Sequence, residues 1–448
     1  MKTCCQTLLL VLALGFPLSA GAHGHYRPDP AMVAARSKIF GPENVNQKNG
    51  EVNSSRVIFS WLSNASFAAA ANGHVMLLDS YVTRLEVTPG RTPFVIQDLL
   101  DLMPEAILLG HGHFDHADNA AYIAQETGAT IYASPETCDN MAIDANNNFM
   151  AGYTSVPTVT CVPLTDRGSL PGAQMVRIDQ FEPDIRIEVF KHLHSTNTGA
   201  NDPDAVPVAA TVSGVCTPTA TQGNTFPCNL QDPRDPLLFP HGTLLEPTTL
   251  NIATSRQGPG GPIALFYVFT VRGPHDFKFV WHNSTGDIVD SCALPNNDAA
   301  DGGTPWEPPQ TTTGCFPGVT VNGTTVGANL ASIMDGLGPV DVELGSVVSL
   351  GYNQNGERYI ISYISHVKPK VFIPNHVTAV AVEGSSLEWK VGFYDALRAP
   401  SGFATSSPTG ATYSAIPEAQ WPEVTWLVDP NDYLRPIVYT PADHRWAK

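Results

Sequence analysis

The stretch Gly110–His116, with the sequence GHGHFDH, places three histidines and one aspartate within six residues. It directly follows Ala106–Leu109, a short and continuously apolar run of the kind that forms a buried strand. In an extended segment the side chains of His111 and His113 leave the backbone on the same side, so both can bind one metal ion. Asp115 and His116 follow where the chain turns, and they can face a second metal. Imidazole and carboxylate groups are ligands that zinc prefers in hydrolytic sites, so this spacing indicates a metal centre rather than a histidine-rich surface loop.

The sequence around this stretch alternates between strand and helix patterns. Asn119–Thr127 is predicted to be a helix that ends at Gly128, and Ala129–Ala133 is predicted to be the next strand. A strand, a helix and a second strand in this order indicate an α/β fold. Further strands are predicted at Val57–Leu62, His74–Asp79, Ile185–Phe190, Ala264–Val271, Phe277–His282 and Val371–Pro374, with a hairpin turn at Asn72-Gly73.

The composition is that of a folded acidic protein. Of the 448 residues 43% are hydrophobic, which is ample for a core, and only 15% are charged, against about 25% in a typical soluble chain. The formal net charge of -18 argues against binding to nucleic acid, because phosphate contacts need clustered Lys and Arg. We therefore expect a small-molecule substrate, and an anionic one remains compatible because a metal reverses the sign of the local field.

The N-terminus has the pattern of a secretory signal peptide. Lys2 supplies a positive charge, Leu8–Phe16 is an apolar run, and Ala20-Gly21-Ala22 resembles a cleavage site. The run is shorter than the about 20 residues that a membrane-spanning helix needs, and the sequence has no later stretch that is long and apolar enough. We therefore expect residues 1–22 to be removed and the mature protein to be periplasmic or secreted, without an integral membrane segment.

Six cysteines follow the leader, and they form three close pairs along the chain. Export would expose them to an oxidising compartment, so three local disulfides are expected, although sequence alone cannot choose among the pairings. Free buried thiols are the alternative. The expected pairs are Cys138 with Cys161, Cys216 with Cys228, and Cys292 with Cys315.

Composition divides the rest of the chain into two parts. Residues 23–55 are rich in Pro, Gly, Asn and Ser, and they are expected to form an irregular N-terminal arm. Residues 56–448 are expected to form one domain with insertions at about 199–262 and 291–318. The first insertion begins five residues after His194, so we expect it to lie near the metal centre and to shape substrate entry.

Four stretches together resemble the metallo-β-lactamase fold hydrolases, over roughly residues 56–380. They are Ser60–Phe67, Leu77–Ser80, His111–His116 with the later Thr127-Gly128-Ala129, and Lys368–His376. The sequence looks most like the branch that contains L-ascorbate-6-phosphate lactonase. This resemblance implies an α/β fold of the metallo-β-lactamase type, an αββα sandwich that carries the long loop insertions.

The resemblance also implies a set of seven metal ligands. His111, His113 and His194 would bind the first metal, and Asp115, His116 and His376 would bind the second. Asp287 would lie between the two metals. The expected cofactors are two Zn²⁺ ions, with other divalent transition metals as alternatives. Asp115 and Asp287 are the expected catalytic carboxylates.

Three of these residue assignments have alternatives. His192 lies on the same side of an extended chain as His194 and is the rival ligand. Asp287 could simply form a Gly-Asp turn. Asp79, at the end of a predicted strand, could orient a metal ligand or only cap the strand. The sequence also departs from the family by having Ser63-Asn64 in place of Gly-His, a change that removes no proposed ligand.

The implied chemistry is hydrolysis. Two metals that share a water would provide hydroxide at neutral pH, and we expect it to attack a carboxylic ester or a lactone. A phosphodiesterase or phospholipase on the same dimetal site is the nearest alternative, and a β-lactamase is less favoured. An alternative from another class is a non-catalytic binding protein on an inactivated fold, against which the seven intact ligand candidates argue.

Overall fold

The computed structural model describes residues 29–82, 94, 96–195, 263–293, 314–347, 356–376, 393–394, 397–398, 416–427 and 435–442. The side chains of residues 114, 115 and 356–358 are not part of that description. The expected signal peptide, the insertion at 199–262 and the expected Cys216–Cys228 pair lie outside the described residues.

Within the described residues, one seven-stranded sheet carries the histidine-rich stretch. Its strands are β1 (Val57–Ser63), β2 (Ser66–Ala71), β3 (His74–Leu78), β4 (Ala106–Leu108), β5 (Thr130–Ala133), β6 (Cys161–Pro163) and β16 (Ile437–Tyr439). The order is β16-β1-β2-β3-β4-β5-β6. The first four strands pair antiparallel, and β3 to β6 pair parallel. The parallel half confirms the predicted α/β character of this region.

A second seven-stranded sheet holds the strands of the later sequence. They are β7 (Met175–Ile178), β8 (Ile185–Leu193), β9 (Ile263–Val271), β10 (Phe277–Trp281), β13 (Val340–Ser346), β14 (Pro369–Asn375) and β15 (Glu423–Val424). The order is β15-β14-β13-β10-β9-β8-β7, parallel from β15 to β10 and antiparallel from β10 to β7. A small separate pair joins β11 (Thr320–Val321) to β12 (Thr324–Thr325).

Helices cover the outer face of each sheet. Those on the first sheet are α1 (Pro30–Phe40), α2 (Ile96–Leu102), α4 (Ala120–Thr127) and α5 (Pro135–Met150), while the short α3 (Phe114–Ala117) belongs to the histidine-rich stretch after β4. On the second sheet, α6 (Val326–Asp335) packs on α7 (Gly356–Val367), and α7 packs on β13. The predicted αββα sandwich is therefore confirmed.

The core lies between the two sheets and is rich in aromatic side chains. Phe59 meets Phe279 across the sandwich with ring centroids 4.9 Å apart, and Phe279 stacks on Phe269 at 4.2 Å. All nine residues of β9 are buried, as expected for a central strand that is covered on both faces. The Tyr267 hydroxyl donates to the Leu109 carbonyl at 2.8 Å. This bond ties the second sheet to the chain just before the histidine-rich stretch.

The turn at Asn72-Gly73 forms as predicted, but it joins different strands from those expected. Both residues have positive φ, +49° and +86°, which is the requirement of a type I′ hairpin turn. The turn connects β3 to β2, and the sequence did not predict β2. Four of its six residues (SFAAAA) are alanines, which are small and have little strand propensity, so burial in the sheet determines their conformation.

The expectation of an irregular arm over residues 23–55 is wrong for its central part. Residues Pro30–Phe40 form the regular helix α1. The Asp29 carboxylate accepts a hydrogen bond from the Ala31 N–H at 2.9 Å, and Pro30 occupies the first turn, where its missing N–H costs nothing. Ile39 and Phe40 are buried in the core. The Pro and Gly content therefore marks the ends of a helix rather than the absence of one.

Two of the three expected disulfides are confirmed. Cys138 bonds to Cys161, and Cys292 bonds to Cys315, each across a sequence separation of 23. The first joins α5 to the edge strand β6. The second lies in the stretch expected to be an insertion at 291–318. Among the described residues, no helix has both the length and the apolar character needed to cross a membrane.

Candidate metal centre

Three imidazole nitrogens converge at one point of the structure. His111 Nε2 lies 3.0 Å from His113 Nδ1, and His194 Nε2 lies 3.2 Å from each of these atoms. Zinc–nitrogen distances of about 2.0–2.1 Å place two ligand nitrogens about 2.9 Å apart at a right angle and about 3.3–3.4 Å apart at the tetrahedral angle. The three nitrogens therefore have the spacing of ligands around one metal ion.

Strand ends bring these histidines together. His111 and His113 follow β4, and His194 comes directly after Leu193, the last residue of β8. The Leu265 N–H donates to the Gly110 carbonyl at 2.7 Å, which fastens the histidine-rich stretch to β9, the neighbour of β8. Two distant parts of the chain thus meet at one edge of the sandwich.

Hydrogen bonds to oxygen fix which ring nitrogen faces the centre. His111 Nδ1 donates to the Asn283 side-chain oxygen at 2.8 Å, and His194 Nδ1 donates to the Ser195 carbonyl at 2.8 Å. The Nε2 lone pairs of both rings then point to the centre. Burial, followed by the neighbouring His116, His194 and His113, holds the pKa of His111 well below its ordinary value. A neutral imidazole is the form that binds a metal.

A second pair of histidines adjoins the first cluster. His116 Nε2 lies 3.2 Å from His376 Nε2, and the rings of His116 and His111 are centred 4.1 Å apart. His376 follows β14 and has a positive φ of +57°. Its backbone N–H donates to the Asn64 carbonyl at 3.1 Å. The Asn64 position, where the sequence departs from the family, therefore supports His376 through its backbone.

Asp79 combines the two roles that the sequence left open. Its Oδ2 accepts the His116 Nδ1–H at 2.8 Å, which leaves His116 Nε2 to face His376. Its Oδ1 accepts the Gly110 N–H at 2.9 Å, which caps the start of the metal-binding stretch. The carboxylate is completely buried. Asp79 thus orients the His116 ring and holds the start of the loop that carries His111 and His113.

Of the two expected catalytic carboxylates, the structure describes the side chain of Asp287 but not that of Asp115. Asp115 lies in α3, and its side chain is outside the described part of the structure. Asp287 is buried, and its Oδ1 accepts the N–H groups of Val289 and Asp290 at 3.1 and 3.0 Å. Asp287 Oδ1 therefore forms the turn that the sequence offered as the alternative interpretation. A bridging role for Asp287 stays a prediction.

The loop of Asp287 nevertheless packs directly on the first cluster. A Cβ atom on Gly286 would lie 2.6 Å from the His194 carbonyl oxygen, so only glycine fits at this close approach. Asp287 exchanges two backbone hydrogen bonds of 2.9 Å with Cys292, and the Cys292–Cys315 disulfide anchors that partner.

His194, and not its rival His192, lies with His111 and His113. His192 belongs to β8, and its Nδ1 lies 3.1 Å from the Tyr363 hydroxyl. Its ring packs among aromatic neighbours, with Phe266 centred 5.6 Å away. The strand ends between the two histidines, so the sequence rule that places both on one side applies only as far as Leu193.

The sequence analysis did not identify Asn283, which bonds to His111 and Asp79. The residue before it, His282, is completely buried, and its Nε2 lies 2.9 Å from Glu343 Oε1. The one sequence signal that could have indicated Asn283 is the polar run HNSTGD directly after β10. Polar residues that follow a buried strand often belong to a functional site.

Residues 63–199 match the sequence profile of the metallo-beta-lactamase superfamily. The matched segment contains Asp79, the histidine-rich stretch and His194, and it lies within two sheets covered by helices. The chain has the metallo-β-lactamase fold.

Relatives of this metallo-β-lactamase fold protein align over less than a third of it. A UPF0173 metal-dependent hydrolase from Myxococcus xanthus is 31% identical over 137 residues, which make up 30% of this chain and 42% of that protein. One from Pyrobaculum islandicum is 24% identical over 140 residues, 31% of this chain and 52% of that protein. The chain thus spans about half the length, or less, of these relatives. Igni18, a metallo hydrolase from Ignicoccus hospitalis, has a solved structure with 10% identity and a TM-score of 0.40, covering 86% of this chain and 98% of that one.

Proposed function

We propose that this protein is an exported hydrolase that binds two divalent metal ions, with Zn²⁺ as the first choice, and cleaves a carboxylic ester or a lactone. The observation that carries the proposal is the convergence of His111, His113 and His194 within 3.2 Å of one another. Imidazoles at that spacing, next to a second histidine pair, match the donor set that zinc prefers.

The proposal places two adjacent metals in this site. His111, His113 and His194 would hold the first, and His116 with His376 would contribute to the second. Asp115 and Asp287 complete the proposed set on the basis of family resemblance. Bound zinc supplies a water that is activated for attack near neutral pH and an electrophile for the substrate carbonyl oxygen.

The protein's own contribution is orientation and the exclusion of bulk water. Asn283, Asp79 and the Ser195 carbonyl accept the outward N–H of three histidines, which fixes the tautomer of each ring. His111, His116 and His194 are 2%, 1% and 4% exposed. In so buried a site, electrostatic interactions with a developing negative charge are stronger than in water.

The choice of an ester or lactone is supported by resemblance to the lactonase branch. The relatives from Myxococcus xanthus and Pyrobaculum islandicum are named metal-dependent hydrolases, which supports hydrolysis without naming a substrate. The two disulfides support export, because such bonds persist in oxidising compartments.

The test is to measure metal content and hydrolysis together. Purified protein would be analysed for bound metals and assayed against lactones, aryl esters, phosphodiesters and β-lactams, with and without a chelator. We expect about two metals per chain and chelator-sensitive hydrolysis of an ester or a lactone. Turnover of phosphodiesters alone would replace the proposed substrate class. Metal-loaded protein that is inactive on the whole panel would favour the non-catalytic alternative.

A further inference from the structure

Asn283 makes two hydrogen bonds that lead to different histidine clusters. Its side-chain oxygen accepts the His111 Nδ1–H at 2.8 Å, and its side-chain nitrogen donates to Asp79 Oδ2 at 2.7 Å. The same Asp79 oxygen accepts the His116 Nδ1–H at 2.8 Å. A continuous hydrogen-bonded path therefore runs from His111 through Asn283 and Asp79 to His116.

The chemistry of the path permits only one arrangement of its protons. The Gly110 N–H and the His116 Nδ1–H are directed at the Asp79 carboxylate, which is the acceptor of the path, so the Asn283 NH₂ group faces it. The Asn283 oxygen must then face His111, and His111 must carry its proton on Nδ1. The same carboxylate requires His116 to carry its proton on Nδ1. Both Nε2 lone pairs are thereby directed to the metal centre.

Close packing holds Asn283 in this orientation. Its side chain is completely buried. A Cβ atom on Gly110 would lie 2.2 Å from the Asn283 Cγ, so the glycine makes room for the amide. The Gly110 N–H donates to the other Asp79 oxygen at 2.9 Å, which closes the arrangement around the carboxylate.

We infer that Asn283 is a positioning residue that couples the two metal subsites. It sets the tautomer of His111 directly. It also donates to Asp79, and Asp79 is the acceptor that sets the tautomer of His116. The inference rests on the proposed dimetal function. Its specific consequence is that loss of Asn283 weakens metal binding at both subsites, although its side chain bonds to only one of the five clustered histidines.

Two substitutions separate the two bonds of Asn283. Asn283→Leu keeps most of the volume and removes both bonds. Asn283→Asp keeps an acceptor for His111 but loses the donor and places a second carboxylate beside Asp79. The matched control is Asn148→Ala, because Asn148 is also buried and donates to a side-chain amide, that of Gln125, and not to the metal centre.

The first measurement needs no metal. Nitrogen-15 NMR of histidine-labelled, chelator-treated protein reports the tautomer of each ring. We expect Nδ1–H for both His111 and His116 in the wild type. Asn283→Leu should lose that preference at His111 and weaken it at His116, whose acceptor Asp79 stays in place but loses a donor. Asn283→Asp should retain the preference at His111 and weaken it at His116. An Nε2–H tautomer of His111 in the wild type would overturn the inference.

The second measurement is a Zn²⁺ titration against a competing chromophoric chelator, with the Co²⁺ absorption spectrum as a readout of ligand geometry. Partners that orient metal ligands typically contribute about 10–100-fold in metal affinity, so Asn283→Leu should weaken each subsite by about 10-fold or more. Asn148→Ala should weaken neither. Affinities at both subsites within twofold of wild type in folded Asn283→Leu would also overturn the inference. Inactivity of the wild type on every substrate would contradict the proposed function and leave both measurements valid.

Discussion

The two histidine clusters are held by different kinds of acceptor. In the first cluster, His111 donates to the amide oxygen of Asn283 and His194 donates to the carbonyl of Ser195, both of them neutral groups. In the second, His116 donates to the charged carboxylate of Asp79. A carboxylate partner raises the basicity of the imidazole more than a neutral oxygen does. The orientation of the rings in the first cluster therefore depends on hydrogen-bond geometry, and that in the second depends on the carboxylate of Asp79 as well.

The clusters also differ in how the chain assembles them. His111 and His113 are adjacent along one short stretch, and only His194 has to join them from elsewhere. The contact between His116 and His376 spans 260 residues. A local sequence pattern thus provides most of the first cluster, whereas the second forms only when both sheets are complete.

The largest expected effect is that of removing a ligand of the first cluster. His194→Ala should abolish binding of one metal and lower kcat/KM by more than the about 10–100-fold that is typical of outer partners. His192→Ala is the control, because His192 contacts Tyr363 and not the cluster. Metal analysis and steady-state kinetics of both variants check this. Loss of metal in His192→Ala with retention in His194→Ala would reverse the assignment.

The next effect should fall mainly on the second cluster. Three donors, the Gly110 N–H, the Asn283 NH₂ and the His116 Nδ1–H, converge on Asp79. Asp79→Asn replaces one acceptor oxygen by a donor, so one of the three must lose its partner. We expect the second subsite to lose about 10–100-fold in Zn²⁺ affinity and the first to lose less. Stepwise titration measures both, and an unchanged second subsite would contradict the charge argument.

The two disulfides offer a matched test of how the surroundings act on the centre. Both have a sequence separation of 23, so chain-entropy models give each about 3 kcal/mol of stability. Only Cys292 also pairs with the Asp287 backbone. Replacing either pair by serines should therefore lower the free energy of unfolding by similar amounts, as measured by denaturant titration.

Metal retention should distinguish the two serine variants. Cys292→Ser with Cys315→Ser should loosen the Asp287 loop and reduce bound metal modestly, whereas Cys138→Ser with Cys161→Ser should not. Metal content after dialysis against buffered Zn²⁺ is the readout. Equal retention in both variants would mean that the Asp287 loop does not depend on its disulfide.

The smallest effect on the centre should come from Lys191, on the strand that leads to His194. Burial lowers the pKa of Lys191 from 10.5 to about 8, with Glu136 and Asp166 opposing the shift. Between those two pH values the unfolded chain binds the proton and the folded chain does not, so stability from this group rises with pH. The rise is at most about 3 kcal/mol.

Lys191→Met should remove this pH dependence and leave metal affinity unchanged. The measurement is the free energy of unfolding in chelator, for wild type and variant, from pH 7 to pH 10.5. The wild type should gain stability relative to the variant as the pH rises. Parallel curves would show that Lys191 is not the group responsible.

Sequence reasoning succeeded where the signal was local. The spacing of His111, His113 and His116, the positive-φ turn at Asn72-Gly73 and the stop of α4 at Gly128 each depend on a few neighbouring residues. The cysteine pairs at 138/161 and 292/315 are also close along the chain, and both formed as expected. Short-range chemistry was enough in these cases.

It failed where the deciding partner is distant or where composition misleads. Asn283 bonds to His111, which is 172 residues away, and locally only the polar run after β10 marks it. The helix α1 was not predicted because proline was taken as a sign of irregular structure, although Pro30 starts the helix. The strand β2 was not predicted because its alanines have low strand propensity, and only burial in the sheet keeps them extended.

The close approach of Gly110 to Asn283 has a consequence for how related sequences can diverge. A side chain at position 110 would occupy the space of the amide, since its Cβ would lie 2.2 Å from the Asn283 Cγ. Glycine at 110 should therefore be required wherever asparagine is kept at 283. In a library randomised at both positions, functional clones should combine Gly110 with Asn283, and clones with a side chain at 110 should be depleted.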